Sequence, residues 1–311
     1  PITGKYLKRS WMADKLFSAL FQFYKKTEEL LGQRFFYPMP IYRPFISIEE
    51  QNEWMAQSEG NSLKKFISKI YTSGAFDGKV NDSFGGVITE FSGYLNTVTF
   101  MEATRRFLNE KNAYLESCLD FEKAIIQKEK IIYENIEASK IIFCDGIAIR
   151  TNPYFNWVPV HPLKGETLTI SLHETPDVIF NRGVYVVPTH SEKLFMVGAT
   201  YNPKDSAQSV SIEAKKELEE KLRELIRIPF TINHQNWGIR PTSPDRKPII
   251  GSHPEFENLI IFNGLGTKGV SLAPYFSGQL AAWLEGHGEI VPEVNIERFK
   301  SLYSKFSSAK I

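Results

Sequence analysis

A glycine-rich turn between a buried strand and an apolar helix constrains the fold of this chain more than any other segment. Residues 258–262 (NLIIF) form a short apolar run typical of a buried strand, and residues 270–284 form an apolar run of helical length. Glycines let a backbone turn sharply and approach a ligand, while a helix that begins near Val270 offers free N–H groups to an anionic or electron-rich group. The pattern predicts either a ligand-binding turn or a glycine-rich connection without a ligand. The turn reads Gly264-Leu265-Gly266-Thr267-Lys268-Gly269.

The sequence after this turn does not continue as a dinucleotide-binding unit. Such a unit needs a second parallel strand after the helix, with an acidic residue roughly 20 residues beyond the glycines to bind the ribose hydroxyls. Here residues 285–289 (EGHGE) follow the helix, and a polar helix is predicted over 296–305 with no apolar strand between them. We therefore expect the turn to face the reactive end of a cofactor whose nucleotide end is bound elsewhere.

Composition and charge exclude several classes of function. The 311 residues, 42% of them hydrophobic, suffice for one large domain or two interleaved domains. Lys plus Arg (37) nearly balances Asp plus Glu (36), so the chain has no overall positive electrostatic field to attract nucleic acid. A local basic patch remains an alternative. No apolar run approaches the roughly 18 residues of a membrane span, and no signal peptide is visible. Cys118 and Cys144 lie in apolar surroundings without metal-ligand spacing, which favours buried free thiols in a reducing cytoplasm.

Hydrophobic periodicity predicts a mixed fold, α/β plus α+β. The strands between 157 and 236 have a period of two, which indicates a largely antiparallel sheet, and the strands between 114 and 134 resemble a β-meander. The other predicted helices are 11–31, 48–56, 62–70, 97–109 and 212–226. The other predicted strands are 34–37, 41–47, 84–88, 114–118, 124–127, 131–134, 140–144, 167–172, 178–180, 184–188, 194–199 and 231–236.

Several blocks, taken in order, resemble the FAD-dependent oxidoreductases of the D-amino acid oxidase family. Within that family they are most similar to glycine oxidases and to the oxidase domain of the bifunctional enzyme that modifies the wobble uridine of tRNA. The likeness spans nearly the whole chain. The blocks are PITGKYLKRSW at 1–11, KIIFCDG at 140–146, PLKGETL at 162–168, GVYVVPTHSEKLFMVGATYNP at 183–203, GIRPTSPDRKPIIG at 238–251 and the segment 258–284 that contains the glycine turn.

The resemblance implies an incomplete FAD-binding, Rossmann-like domain interleaved with a mainly antiparallel β-sheet substrate-binding domain. The family begins with a strand, a GxGxxG turn and a helix that bind the ADP half of FAD, and this sequence starts after that unit. We expect the residues shown to be a fragment or to lack that unit, and to bind FAD poorly by themselves. The expected FAD-binding domain is 1–32, 97–150 and 237–311, and the expected substrate-binding domain is 33–96 and 151–236.

The same resemblance implies a set of cofactor-binding residues. It places Gly146 beside the FAD pyrophosphate and the glycine turn at the flavin. Asp145, just before Gly146, departs from the family pattern, because a carboxylate near phosphates is unfavourable unless it points away. The expected cofactor-binding residues are Gly146, Gly264, Leu265, Gly266, Thr267, Lys268, Gly269 and Val270.

Arg240, Tyr185 and Thr267 are the expected substrate-binding residues. Arg240 matches the family's carboxylate-binding arginine, since a guanidinium forks onto a carboxylate with two parallel hydrogen bonds. The alternative for Arg240 is a salt bridge with Asp245 that holds the loop. Tyr185 matches a tyrosine that covers the substrate, or is one more aromatic side chain on a strand.

Lys268 has three possible roles in this turn. It would stabilise negative charge at the flavin N1 and C2 carbonyl, bind a larger anionic substrate, or be a solvated lysine at the start of a helix. No catalytic acid or base is assigned, because hydride transfer to flavin needs chiefly orientation of the substrate. The six histidines are scattered without metal-ligand spacing, and no GxSxG nucleophile motif is present.

The sequence thus favours an FAD-dependent enzyme that oxidises the C–N bond of a small or N-substituted amino acid. A 2-hydroxy acid dehydrogenase on the same scaffold and an oxidase acting on modified tRNA are alternatives. A non-catalytic binding module is the alternative if the N-terminal unit is truly absent. The expected partner is a small amino acid or amine, with tRNA less favoured because the charge is nearly neutral.

Overall fold

The computed structural model describes residues 2–3, 8–58, 63–191, 193–205 and 207–308. Residues 1 and 4–7 of the first family block, Glu192 of the block at 183–203, and Ser62, the first residue of a predicted helix, lie outside the described residues. The helices are α1 Ala13–Leu31, α2 Ile48–Ser58, α3 Thr97–Glu110, α4 Ile212–Leu225, α5 Gly269–Leu284 and α6 Lys300–Ser308. The strands are β1 Ile2–Thr3, β2 Lys8–Arg9, β3 Phe36–Pro38, β4 Ile41–Pro44, β5 Ile67–Tyr71, β6 Gly86–Thr89, β7 Gly93–Leu95, β8 Ala124–Ile126, β9 Ile131–Tyr133, β10 Ile136–Ala138, β11 Ile141–Phe143, β12 His161–Leu172, β13 Ile179–Arg182, β14 Val184–Pro188, β15 Leu194–Gly198, β16 Phe230–Thr242, β17 Ile249–Ser252 and β18 Leu259–Asn263.

The chain divides into two compact units, each built from separate stretches of sequence. The first unit comprises 1–112, 165–202 and 207–238, and the second comprises 113–164, 203–206 and 239–311. Residues 1–32 and 97–112 thus group with the antiparallel strands, whereas the expected domain boundaries placed them with the glycine turn. The assignment of FAD and substrate binding to particular domains stays a prediction.

An eight-stranded sheet in the order β16-β12-β15-β14-β13-β4-β6-β5 dominates the first unit. Its recorded pairs are antiparallel except for β13 and β4, which pair in parallel through Ile179 with Ile41 and Phe180 with Tyr42. One face carries a core of alternating side chains from β12, β14 and β15. This confirms the mainly antiparallel sheet that the period of two predicts.

Helix α4 covers this core because its apolar side chains recur at helical spacing. Leu218 and Leu222 are fully buried, and charged residues occupy most of the exposed helix surface. Ser211 caps its first turn by accepting a hydrogen bond from the Ala214 N–H at 3.3 Å. Glu166, which is 2% exposed, accepts hydrogen bonds from both the N–H and the hydroxyl of Ser211. The buried carboxylate thereby fixes the start of α4.

The second unit contains a three-stranded sheet in the order β11-β18-β17 and a meander in the order β10-β9-β8. Strands β11 and β18 are parallel, with Ile141 opposite Leu259 and Phe143 opposite Ile261. Leu259 and Ile261 are fully buried, as expected for parallel strands covered on both faces. The carboxyl ends of β11 and β18 therefore lie side by side, which is where open α/β sheets bind their ligands.

His253 lies buried in this unit directly after β17. It is 4% exposed, and its Nδ1 accepts hydrogen bonds from the N–H groups of Glu255 at 3.1 Å and Phe256 at 3.3 Å. Burial lowers the pKa of His253 below its usual value. Protonation at Nδ1 would replace an acceptor with a donor facing two N–H groups, so the folded state requires neutral imidazole there.

We predict that His253 makes the protein lose stability as pH falls from 7 to 5. Because the pKa of His253 is lowered in the folded state, the unfolded chain takes up the proton first as the pH falls. The free energy of unfolding therefore decreases once the pH is below the unfolded pKa of about 6.5. His253→Asn removes the titration, so its free energy of unfolding, measured by urea denaturation, should depend less on pH. His287→Asn, at an exposed histidine, is the control. An unchanged pH dependence in His253→Asn would contradict the prediction.

Some sequence-based expectations were wrong. The predicted helix at 62–70 is a 3-10 turn, Lys64–Phe66, followed by β5, because pairing with β6 outweighs local helix propensity. No strand forms at 114–118, and the third strand of the meander is β10 instead. Both Cys118 and Cys144 are exposed free thiols rather than buried ones. Strand β17 was not predicted, since its sequence, IIGS, is short and contains a glycine.

Candidate functional site

The glycine turn lies at the carboxyl end of β18 and leads directly into α5. Gly264 has φ +72° and Gly266 has φ +55°, conformations that favour glycine over other residues. A 3-10 turn, Gly266–Lys268, precedes the helix, and no side chain caps the N-terminus of α5. Thr267, Lys268 and Val270 are exposed. The start of α5 thus has no side-chain cap, and a cationic side chain lies beside it.

Two other segments lie against this turn within the second unit. Thr242, at the end of β16, forms an antiparallel bridge with Leu265, and a Cβ at Gly266 would lie 3.4 Å from the Thr242 hydroxyl oxygen. A Cβ at Gly146 would lie 3.8 Å from Pro241 Cγ. The end of β16, the residues after β11 and the glycine turn therefore form one site. We call these three segments, 144–146, 240–242 and 263–270, the strand-end site.

Asn263 connects two of these segments and was not predicted from the sequence. Its Nδ2 donates to Asp145 Oδ1 at 3.1 Å and to the Gly146 carbonyl at 2.9 Å, while its Oδ1 accepts from the Gly264 N–H at 2.7 Å. The residue is 3% exposed. Its position between a buried strand and the first glycine of the turn is the only sequence signal that marks it.

Asp145 is held within the protein by two asparagines. Its carboxylate accepts hydrogen bonds from Asn263 and from Asn152 Nδ2, the latter at 3.3 Å. Burial raises the pKa of Asp145, and the hydrogen bonds from Asn152 and Asn263 oppose that rise. The carboxylate that departs from the family pattern is therefore engaged by neighbouring side chains, which gives it a structural role.

Arg240 lies two residues before Thr242, on the part of β16 that belongs to the second unit, and is half-buried. Asp245, the alternative partner considered for Arg240, forms an ion pair with Arg298 at 3.0 Å. Arg298 also donates to the carbonyls of Lys247 and Pro248, so this side chain fastens the loop. Arg298 therefore holds the loop at Asp245, Lys247 and Pro248.

Tyr185 lies on β14 in the first unit and is half-buried. It pairs with Gly198 on β15, where an added Cβ would lie 2.5 Å from the Tyr185 hydroxyl oxygen. The glycine thus leaves room for the tyrosine ring to lie across the neighbouring strand. The structure places Tyr185 on the sheet face opposite Val184 and Val186, which are buried in the core.

Within the described ranges, no three His, Cys, Asp or Glu side chains group so that they would hold a metal ion. None of the described helices combines the length and the apolar character needed to cross a bilayer.

The model of the family described as FAD dependent oxidoreductase matches residues 2–284 of this chain. The chain belongs to this family. The resemblance read from the sequence is thereby confirmed, and with it the fold class.

Among similar sequences, the glycine oxidase of Bacillus licheniformis is 33% identical over 148 residues, which cover 45% of this chain and 38% of the relative. The bifunctional protein ThiO/ThiG of Nostoc sp. is 23% identical over 289 residues, covering 87% of this chain and 43% of the relative. The chain spans less than half the length of the curated relatives that it matches.

Solved structures of the flavoenzyme family share the fold. Glycine oxidase from Geobacillus kaustophilus superposes with a TM-score of 0.73 at 17% identity, covering 90% of this chain and 80% of that chain. Iminodiacetate oxidase from Chelativorans sp. BNC1 gives a TM-score of 0.73 at 16% identity, covering 96% of this chain and 87% of that chain.

The residues of the strand-end site fit the cofactor of this family. The start of α5, which no side chain caps, and the exposed Lys268 would provide positive potential for an electron-rich group such as the edge of a flavin. Gly146 has φ +58° at the carboxyl end of β11 and presents no side chain to a closely approaching group. Both features suit a flat, electron-rich ligand at the strand ends.

Proposed function

We propose that the complete protein is an FAD-dependent oxidoreductase that oxidises the C–N bond of a small or N-substituted amino acid. The observation that carries this proposal is the meeting of the Arg240 strand end with the glycine turn through the bridge from Thr242 to Leu265. A carboxylate-binding side chain and a flavin-binding turn then belong to one site. Membership of the flavoenzyme family supports the same conclusion.

The chain's own residues would bind and orient rather than transfer protons. Bound FAD would accept the hydride from the carbon next to nitrogen. The Arg240 guanidinium would bind the substrate carboxylate through two parallel hydrogen bonds. This contact would fix the orientation of the substrate, and with it the position of the carbon that loses the hydride. The N–H groups of the turn and the Lys268 ammonium would stabilise negative charge that develops beside them.

The first test is whether the full-length protein binds FAD without a covalent bond. We expect purified protein to show the visible absorbance bands of a flavin and to release FAD on denaturation. A colourless full-length protein that takes up no added FAD would contradict the proposal.

The second test identifies the substrate class by anaerobic mixing with a panel of compounds. We expect glycine, sarcosine, proline or D-alanine to bleach the flavin absorbance. The panel also contains 2-hydroxy acids and modified tRNA, which represent the alternative activities. If a 2-hydroxy acid or modified tRNA bleached the flavin and no amino acid did, the amino acid assignment would be overturned. The assignment as a flavoenzyme would stand.

A further inference from the structure

The amide of Asn263 makes three hydrogen bonds within the strand-end site. Both Nδ2 hydrogens are donated, one to Asp145 Oδ1 and one to the Gly146 carbonyl, and Oδ1 accepts from the Gly264 N–H. The side chain is 3% exposed, so these contacts are shielded from water. A buried side chain that satisfies three polar groups at once holds a well-defined orientation.

These contacts join the ends of two parallel strands. Gly146 follows β11 and Gly264 follows β18, and both have positive φ angles, +58° and +72°. Asn263 binds the carbonyl of the first glycine and the N–H of the second. It therefore fixes the separation and the orientation of the two turns that flank the strand ends.

Asp145 supplies the fixed end of this connection. Its second oxygen accepts from Asn152, whose Oδ1 in turn accepts from the N–H groups of Tyr154 and Phe155 at 2.9 and 3.3 Å. Asn152 is 1% exposed. The contacts from the segment after β11 to the glycine turn thus rest on a buried side chain that makes three hydrogen bonds.

We propose that Asn263, held by Asp145, is a positioning residue that preorganises the two glycine turns to bind FAD. This inference rests on the proposed function, because it concerns the same cofactor site. Asn263 touches the backbone of both turns, so its contribution is to set their geometry before the cofactor arrives. Preorganisation raises affinity by removing the cost of ordering the site on binding.

The test uses the full-length protein and compares Asn263→Asp with the double substitution Asp145→Asn, Asn263→Asp. The single substitution removes the donor and places a second carboxylate at 3.1 Å from Asp145 Oδ1. The double substitution reverses the polarity of the pair and restores a donor between positions 145 and 263. The readouts are the FAD dissociation constant of the apoprotein, from quenching of flavin fluorescence, and the melting temperature without FAD.

We expect Asn263→Asp to weaken FAD binding by about 10- to 150-fold, the range of a lost hydrogen bond to a charged group. The double variant should recover at least part of that loss. The loss of the donor to the Gly146 carbonyl would remain. If Asn263 only added stability, the single variant would keep its affinity for FAD and the double variant would have no affinity to recover.

Asn258→Ala is the matched control. Asn258 lies just before β18, at the opposite end from the glycine turn, is 6% exposed, and donates to the Gln127 carbonyl at 2.7 Å. We expect it to lower the melting temperature while the FAD dissociation constant stays within about twofold of wild type.

The outcomes separate this inference from the proposed function. If wild-type protein binds no FAD, the proposed function fails. If wild type binds FAD but Asn263→Asp lowers only the melting temperature, as Asn258→Ala does, or if the double variant binds no better than the single one, the inference about Asn263 is overturned.

Discussion

Arg240→Lys in the full-length protein is expected to raise the KM for an amino acid substrate by about 10- to 150-fold while FAD stays bound. Lysine keeps the positive charge but loses the planar fork that donates two hydrogen bonds, and a hydrogen bond to a charged group contributes about 1.5–3 kcal/mol. The effect should appear chiefly in KM, because the carboxylate is bound before and during hydride transfer. The measurement is steady-state kinetics with the substrate found in the anaerobic panel, together with the FAD content of the variant.

Arg298→Lys is the control for this prediction. Arg298 binds Asp245 and the carbonyls of the loop before β17. Its replacement should lower the melting temperature with little change in KM. If Arg240→Lys instead lowered the FAD content or the melting temperature, while the FAD-bound fraction kept the wild-type KM, Arg240 would be a structural residue of the loop rather than the anchor of the substrate.

Gly85→Ala is expected to destabilise the first unit by about 2–5 kcal/mol. Gly85 has φ +72°, and a Cβ there would lie 1.9 Å from the Tyr71 carbonyl oxygen and 2.9 Å from the Thr72 carbonyl carbon. Left-handed backbone costs an alanine about 1–2 kcal/mol, and forcing atoms into packed space costs about 1–3 kcal/mol more. Because the obstacle is the backbone of the adjoining strand β5, no side-chain rotation relieves it.

Gly78→Ala separates these two contributions. Gly78 has φ +76°, but a Cβ there would have no neighbour within 4 Å. Its replacement should cost only the backbone term, about 1–2 kcal/mol. Urea denaturation of both variants gives the comparison, and equal losses of stability would contradict the assignment of the larger effect to the clash at Gly85.

Local signals in the sequence were sufficient where an element depends on its own residues. Helical spacing predicted helices at 11–31 and 212–226, and the structure has α1 at Ala13–Leu31 and α4 at Ile212–Leu225. The glycine turn and α5 were predicted from the same kind of signal. Family resemblance added the expectation that Arg240 and this turn share a site, which stays a prediction for substrate binding.

Elements that depend on distant partners were not predictable in this way. Strand β5 exists because it pairs with β6, and β10 takes the place in the meander that 114–118 was expected to fill. Asn263 matters through contacts with Asp145 and Gly146, far away in the chain. A single asparagine between a strand and a glycine carries no local pattern that reveals such contacts.

The parallel pairing of β4 with β13 has a consequence for how the protein is made. Ile41 and Tyr42 pair with Ile179 and Phe180. During synthesis, this edge of β4 therefore stays unpaired until β13 has left the ribosome. At about 5–20 residues per second, that delay is on the order of ten seconds. Tyr42 is fully buried in the folded protein, and an open apolar strand edge is a template for intermolecular pairing. The β13-facing edge of β4 therefore stays open to intermolecular pairing until β13 has been synthesised.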